Sequence, residues 1–270
     1  MNFPMFKLAL KNNWALWLIF TVITVAYLLL IIAMYDPENM QSIEAAIEMA
    51  PAGLAAAVGM DRIPVNLTDF AANYFYRFLV QIFLIIHVTI LPIRLVVKQV
   101  DDGTMSYLLS TKVSRFKVIF TKAMYMIISL FAMSVVLTGI AILVSVTKFP
   151  VGELDIFAFL SLNLATFLVA TAMAAIVFFF SSIMNQTSHA TFSGAGILLI
   201  FFIFSLIEKI GHGKGFYGLL GKFSIFRFLQ AREIVAGEIN MYVNDSWLLL
   251  IIAVFLGMGI YFFSKRDLPL

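Results

Sequence analysis

The stretch 156–207 contains no Asp, Glu, Lys or Arg, and no other feature of the sequence restricts the fold as strongly. One helical crossing of a bilayer takes about 20 apolar residues, so this stretch is long enough for two crossings. The polar cluster 185–189, Asn-Gln-Thr-Ser-His, lies inside it and would form the turn between them. Only helices and closed barrels satisfy the backbone in lipid, and the stretch shows no polar/apolar alternation. We therefore predict two transmembrane helices here.

The composition of the whole chain also indicates an integral membrane protein. Of the 270 residues, 62% are hydrophobic and only 12% are charged, whereas an ordinary soluble domain is about 25% charged. A soluble protein of this composition would expose much of its apolar surface and would aggregate. The composition therefore excludes a soluble enzyme and a nucleic-acid-binding module, although the net charge is +3. The absence of cysteine excludes disulfides and thiolate chemistry.

Six apolar segments are long enough to cross the membrane. The predicted spans are about 14–35, 74–97, 123–147, 156–184, 190–207 and 246–264. Arg77 and Arg94 lie near the ends of the second span, where their long side chains can reach the two interfaces. A seventh span would require a re-entrant piece within 208–245. We predict an all-α integral membrane protein in which residues 1–270 form a single transmembrane domain with six helices.

The distribution of Lys and Arg predicts the orientation of these spans. The loop between spans two and three and both chain termini are rich in basic residues, whereas the segment 36–73 contains six acids and one base, Arg62. We therefore expect a multi-pass protein of the cell membrane with both termini and the second loop in the cytoplasm. The segment 208–245 would then lie outside, although its five basic residues are only partly offset by four acids.

Three segments outside the spans have amphipathic patterns. Residues 2–13 predict a short interfacial helix with its apolar side in the lipid, or a lysine flank that only sets the topology. The stretch 40–50 of the first outer loop predicts an amphipathic helix. The stretch 223–240 predicts further helices that lie on the outer leaflet or dip into it. The two outer segments could form an outer gate or a structural cap.

The segment 98–118, between spans two and three, is called the coupling segment below. Asp101 or Asp102 can accept hydrogen bonds from the free N–H groups of a helix that begins near Thr104. Ser114 can cap the next helix, which continues into span three. We predict a compact cytoplasmic helix at this position. It could dock a soluble partner, or it could be a simple turn between two spans.

The coupling segment resembles the signature of the ABC type-2 exporter permeases, which usually reads Glu, Gly-Thr, Leu-Leu and Pro-Val-Ser-Arg at this spacing. The matching residues are Asp101 or Asp102, Gly103, Thr104, Leu108, Leu109, Val113, Ser114 and Arg115. The chain departs from the signature by having Asp for the Glu and Lys112 for the Pro. The resemblance extends over the whole chain through the basic N-terminal helix, the six spans, the large first outer loop and the basic C-terminal end.

The resemblance implies a permease subunit that is not itself an enzyme, in a bacterial cell membrane. It implies two copies of a cytoplasmic ATP-binding subunit, which bind ATP and Mg²⁺ and dock on the coupling segment. It also implies a second permease chain, either an identical copy or a similar chain. It also implies export, here of an amphipathic or hydrophobic substrate such as a peptide toxin, an antibiotic or a lipid-like molecule. The nearest P-loop decoy, 215–223, has Phe216 and Phe223 where that motif needs Gly and a hydroxyl residue.

Polar residues within the spans are candidates for a substrate path. His87 lies near the middle of span two, where it could contact substrate, act as a proton-linked switch, or form a hydrogen bond with a neighbouring Ser or Thr. Asn163 and Thr166 on span four could line a path or pack against another helix. A secondary transporter without an ATPase is the alternative function, and it would need ionisable residues at the midplane. Apart from His87, the spans have none there.

Small residues recur four positions apart on two spans and predict close helix packing. These pairs are Ala190 with Gly194 on span five, and Ala253 with Gly257 on span six. The sequence contains no histidine pair at metal-ligand spacing and no Ser-His-acid set. We therefore predict neither a metal site nor a catalytic site in this chain.

Overall fold

The computed structural model describes residues 2–36, 55–57, 59, 62–109, 113–211 and 213–266, and within these ranges the chain is helical without a β-strand. A π-helical turn (Ala72–Tyr76) and a 3-10 turn (Ile225–Phe228) accompany the α-helices. In chain order these are α1 (Phe3–Met34), α2 (Leu67–Ala71), α3 (Leu79–Leu95), α4 (Val97–Asp101), α5 (Thr104–Leu109), α6 (Arg115–Lys148), α7 (Ile156–Ile183), α8 (Thr187–Ile210), α9 (Gly215–Lys222), α10 (Ala231–Val235) and α11 (Met241–Lys265). The predicted helix at 40–50 lies outside the described residues, as does Lys112.

Among the residues that the structure describes, six helical stretches are long and apolar enough to cross a membrane, which confirms the predicted number. They are α1, α3 together with α4, α6, α7, α8 and α11. The longest, α1 and α6, have 32 and 34 residues. At 1.5 Å per residue each is about 50 Å long, which exceeds the hydrocarbon thickness of about 30 Å. Both helices therefore extend beyond the apolar layer.

Residues 2–13 do not form a separate interfacial helix, so this prediction is wrong in its boundary. They are the first turns of α1, which begins after the Asn2 cap and continues unbroken to Met34. Asn2 Oδ1 accepts a hydrogen bond from Met5 N at 3.3 Å. Neither Gly nor Pro occurs after Pro4 within α1, and the polar Asn13 donates to Ala9 O of its own helix at 2.9 Å. Nothing in this sequence stops the helix at the predicted boundary.

Span two begins later and ends differently than predicted. The π-helical turn and a turn at Arg77 and Phe78 precede α3, so the regular helix starts at Leu79 rather than at residue 74. At the other end Val96 has φ −119° and ψ −81°, which breaks the helix between α3 and α4. Val96 N still donates to Pro92 O at 3.0 Å. After this break α4 continues into the coupling segment.

Helix α7 is the centre of the bundle and contacts α3, α6, α8, α10 and α11. Close packing by small residues drives helix association in lipid, because the lipid tails are as apolar as the side chains. A Cβ added at Gly194 of α8 would lie 3.1 Å from Val177 Cγ1, which confirms close packing there. On α11, Ala253 and Gly257 are exposed, so the predicted close packing of this pair is wrong within the described chain. Gly259 is the α11 glycine that lies against α7, at Phe178 and Ser182.

The region between α8 and α11 forms no further span within residues 208–211 and 213–245. It contains α9, the 3-10 turn and α10, none of which has more than 8 residues. Ile225, Phe226 and Ile234 are buried against the bundle. Ser224 Oγ donates to Phe201 O of α8 at 2.6 Å, which ties the 3-10 turn to that helix. This region covers one end of the bundle, called the far end below.

Candidate coupling site

The acid-Gly-Thr part of the coupling segment forms the turn between α4 and α5. Asp102 Oδ1 accepts hydrogen bonds from Thr104 N at 3.1 Å and from Thr104 Oγ1 at 2.6 Å. Gly103 has φ +74°, a left-handed conformation that glycine adopts without steric cost. Of the two aspartates considered as caps, Asp102 is therefore the one that caps the start of α5. The chemical pattern of these three residues explains why the helix restarts at Thr104.

The second cap of the segment lies at the start of α6. Ser114 has an extended backbone, and its Oγ accepts a hydrogen bond from Lys117 N at 3.3 Å. This is the N-cap geometry expected of serine, and α6 begins at the next residue, Arg115. As the sequence indicated, the capped helix continues without interruption into span three. Local side-chain hydrogen bonds therefore fix the start of α5 and the start of α6 within the coupling segment.

The surface of α5 divides into an anchored and an accessible side. Met105 is almost fully buried and packs into the hydrophobic core, and Leu108 is half-buried against it. By contrast, Thr104 is exposed and Tyr107 has 79% of its surface exposed. The short helix therefore presents Thr104 and Tyr107 outward, while Met105 and Leu108 hold it to the bundle.

Asp101 has a different partner from its neighbour Asp102. Its Oδ2 accepts a hydrogen bond from the backbone N–H of Thr187, the first residue of α8, at 2.9 Å. The first N–H groups of a helix have no partner within the helix, and the preceding residue, Gln186, forms no side-chain cap bond here. A carboxylate is favoured at this position both as an acceptor and by the helix dipole. Asp101 thus caps a helix 86 residues away in the sequence.

Arg115 connects the coupling segment to the last turn of the final helix. Its guanidinium donates to Arg266 O at 2.7 Å. Arg266 in turn donates to Met184 O at 3.1 Å, in the turn between α7 and α8, and its guanidinium stacks over the Phe263 ring. The start of α6, the end of α11 and the α7–α8 turn are therefore joined at the same end of the bundle. We call this the coupling end.

Lys122 of α6 is a buried lysine near the coupling segment. Its side chain is 5% exposed, and its Nζ donates to Leu95 O and to Gln99 Oε1. Leu95 is the last residue of α3, so Lys122 supplies a partner to a carbonyl at the break between α3 and α4. No local pattern distinguishes this lysine from the exposed Lys117 on the same helix.

The three candidates for a substrate path lie in different places. His87 is fully buried, its ring centroid lies 4.8 Å from that of Phe20 of α1, and neither ring nitrogen has a hydrogen-bond partner in the described chain. The hydrogen bond to a Ser or Thr considered for it is not present there. Asn163 Oδ1 accepts from Tyr76 Oη at 2.8 Å, and Thr166 Oγ1 donates to Leu162 O at 2.7 Å. A substrate-path role for these three residues stays a prediction.

Two larger cavities lie toward the far end. One, of about 910 Å³, is bounded by α9, the 3-10 turn and the start of α11, and its lining includes Glu208, Lys222, Arg227 and Trp247. The other, of about 480 Å³, is lined mainly by apolar groups from α7, α8, the 3-10 turn and α11. Residues of the described ranges form no cluster of three or more His, Asp or Glu that could hold a metal ion.

Comparison with known protein families gives one match. The family model described as "ABC-2 family transporter protein" matches residues 8–268, which include all six membrane-crossing helices and the coupling segment. None of the curated proteins matches the sequence.

Proposed function

We propose that this chain, which belongs to the ABC-2 transporter family, is the permease subunit of an exporter of amphipathic or hydrophobic molecules. Family membership identifies a multi-pass membrane subunit without an ATPase site of its own and implies an ATP-binding partner subunit. We further propose two copies of that partner, each with its ATP and Mg²⁺, and a second, identical permease chain. The family assignment disfavours the alternative of a secondary transporter without an ATPase.

The carrying observation is the construction of the coupling segment. Its α5 helix exposes Thr104 and Tyr107, yet it is anchored through Met105 and capped by Asp102. A partner that docks on such a helix meets a surface whose backbone is already ordered, so little conformational freedom is lost on binding. The same segment is bonded to two other helix ends, the start of α8 through Asp101 and the end of α11 through Arg115, so a displacement of the segment would reach both helices. These two properties are what an ATP-driven transporter requires of its docking element.

The proposed orientation places the coupling end in the cytoplasm of a bacterial cell. The N-terminus lies at this end, because Asn2 N donates to Thr121 Oγ1 of α6 at 2.9 Å. The last described residue, Arg266, lies there as well, bonded to Arg115. The first and last described residues, Asn2 and Arg266, therefore lie at the same end of the bundle as the basic coupling segment, in agreement with the Lys and Arg distribution.

The cavities support the proposed substrate class. The smaller cavity is bounded by Phe180, Phe201, Phe223 and Phe255, which favours an apolar group. The larger cavity combines charged groups of both signs with aromatic rings. At about 910 Å³ it falls in the range of pockets that hold whole organic molecules rather than single ions. An amphipathic molecule matches this combination of surfaces.

The test is retention of the ATP-binding subunit by the tagged chain, purified in mild detergent from cells that carry its own transport genes. We expect the wild-type chain to retain a protein with ATP-binding motifs and vanadate-sensitive ATP hydrolysis. Tyr107→Asp, which places a charge on the exposed side of α5, should lose that protein. Tyr242→Asp is the matched control, because Tyr242 is 88% exposed but lies at the far end. Absence of an ATPase from the wild-type preparation, or equal retention by Tyr107→Asp, would overturn the proposal.

A further inference from the structure

Asp101 and Asp102 are adjacent, are both exposed, and have separate partners. Asp102 is bonded to Thr104, two residues away, and completes the local turn before α5. Asp101 is bonded to the N–H of Thr187, the first residue of α8. One aspartate therefore belongs to the docking element itself, and the other connects that element to a membrane-crossing helix.

The connected helix leads directly to the apolar cavity. From Thr187, α8 runs to the far end, and its residues Ile197 and Phe201 form part of the cavity wall. Gly194 of α8 lies closely against Val177 of α7, and α8 is one unbroken helix from Thr187 past Phe201. A displacement of its first turn would therefore change the position of the cavity wall.

The turn that precedes α8 has a second connection, which comes from α6. Arg115 bonds to Arg266 O, and Arg266 bonds to Met184 O, at the other edge of the same turn. The α7–α8 turn is thus held from both sides of the coupling segment, by α4 through Asp101 and by α6 through the arginine pair. Both routes reach the backbone of this region, at Thr187 N and at Met184 O.

We propose that Asp101 is a positioning residue that transmits movement of the coupling segment to α8. The inference rests on the proposed function, because the movement originates in docked ATP-binding subunits. In this arrangement a displacement of α4 pulls the first turn of α8 through the bond between Asp101 Oδ2 and Thr187 N. The neighbouring Asp102 only shapes the surface on which the partner docks.

Each end of the bond can be removed separately. Asp101→Ala removes the acceptor, and Asp101→Asn keeps a neutral acceptor at the same place. Thr187→Pro removes the donor, since proline has no N–H and is well tolerated at the first helical position. Gln186 has φ −109° and ψ 134°, a conformation that is allowed before proline. The Thr187 hydroxyl group also interacts with the Asp101 carboxylate. Thr187→Ala keeps the N–H and removes this hydroxyl group, so it separates the two contributions of Thr187.

The readout is a fluorescent label on α8, in the complex with its ATP-binding subunits. The chain has no natural cysteine, so Phe192→Cys, at a position 84% exposed, accepts a single environment-sensitive dye. We measure the change in emission on addition of ATP with vanadate, together with ATP hydrolysis and thermal stability of the same samples. The permease alone is the blank.

The expected result separates transmission from docking. Thr187→Pro, which lies outside the coupling segment, should retain the ATP-binding subunits and hydrolyse ATP, while the nucleotide-dependent emission change falls by about fivefold or more, the lower limit of ordinary allosteric coupling. Asp101→Ala should lower the emission change per retained ATP-binding subunit to the same extent. The double variant should be no worse than either single one, since both remove the same bond. Asp101→Asn should recover most of the change, and Thr187→Ala should keep it.

A different pattern overturns the inference. An emission change of wild-type size in Asp101→Ala and Thr187→Pro would show that α8 moves without this bond, and a loss in Thr187→Ala equal to that in Thr187→Pro would assign the effect to the hydroxyl group. A wild-type complex that hydrolyses ATP without any emission change also refutes it. A wild-type chain that retains no ATP-binding subunit would instead refute the proposed function, so the two failures are distinguishable.

Discussion

Lys122→Met tests whether a buried lysine holds the break between α3 and α4 in place. Lys122 Nζ donates to Leu95 O and to Gln99 Oε1, on the two sides of that break. Methionine has a similar length and fills the same space, but it cannot donate a hydrogen bond. The substitution therefore leaves two buried acceptors without their partner while it changes the packing little.

The expected magnitude follows from these two bonds. An acceptor that loses its partner in a buried position costs roughly 1–3 kcal/mol. Removing the ammonium group also removes the cost of burying its charge. The Asp102 carboxylate, which interacts electrostatically with Lys122, is exposed to solvent and is therefore not left as a buried unpaired charge. We therefore expect a net loss of about 2 kcal/mol in the local stability of α4. Since each 1.4 kcal/mol corresponds to tenfold, α4 should open about 30-fold more often.

Hydrogen–deuterium exchange in lipid nanodiscs measures this opening directly, because protected amides exchange when their segment opens. The backbone amides of Gln99, Val100, Asp102 and Gly103 donate hydrogen bonds across the α4 region and serve as reporters. Lys117→Met is the matched control, because that lysine is exposed on the same helix. Exchange in Lys122→Met within about twofold of the wild type, or an equal rise in Lys117→Met, would refute the reasoning.

Two further substitutions test the packing within the bundle by the free energy of unfolding in lipid nanodiscs. Gly259→Val forces a side chain against Phe178 and should lower the free energy of unfolding by about 1–3 kcal/mol. Gly257→Val is the control at an exposed position of the same helix and should change the free energy of unfolding by less than about 0.5 kcal/mol. Equal effects of the two substitutions would contradict the assigned face of α11. His87→Leu removes two buried nitrogens that have no partner and should stabilise by about 1–2 kcal/mol. A loss of stability would contradict this account of His87, and a loss of transport alone would favour a substrate contact.

The membrane-crossing helices were predictable from sequence because their signal is local. Span four was expected at 156–184 and α7 covers Ile156–Ile183, since charge-free apolar residues fill it and polar residues flank it. The start of span two was missed by about one turn, because the apolar pattern continues through a π-helical turn that only the hydrogen bonds reveal. The prediction of a separate helix at 2–13 was wrong in its boundary, because the lysines on one face of this segment do not interrupt the helix that continues into span one.

The candidate site was predictable only as far as its bonds are local. The caps by Asp102 and Ser114 join residues two and three positions apart, and the spacing of the residue types indicates them. The bond from Asp101 joins residues 86 apart, and the bond from Arg115 spans 151 positions. Those two depend on how α6, α8 and α11 pack around α7, which a single sequence does not specify. Sequence reasoning therefore placed both residues in a docking role without their partners.

The two ends of the bundle are built differently, and the difference suits a transporter driven from one side. At the coupling end, side chains bond directly to backbone groups of other helices, as Asp101 does to α8 and Arg115 does to α11. At the far end the same two helices line one apolar cavity, with Phe201 of α8 and Phe255 of α11 in its wall. The two helices that form hydrogen bonds with the coupling segment therefore also line the apolar cavity, and both pack on the buried α7. Movement applied at the coupling end would therefore act on the cavity through α8 and α11, with α7 as the fixed support.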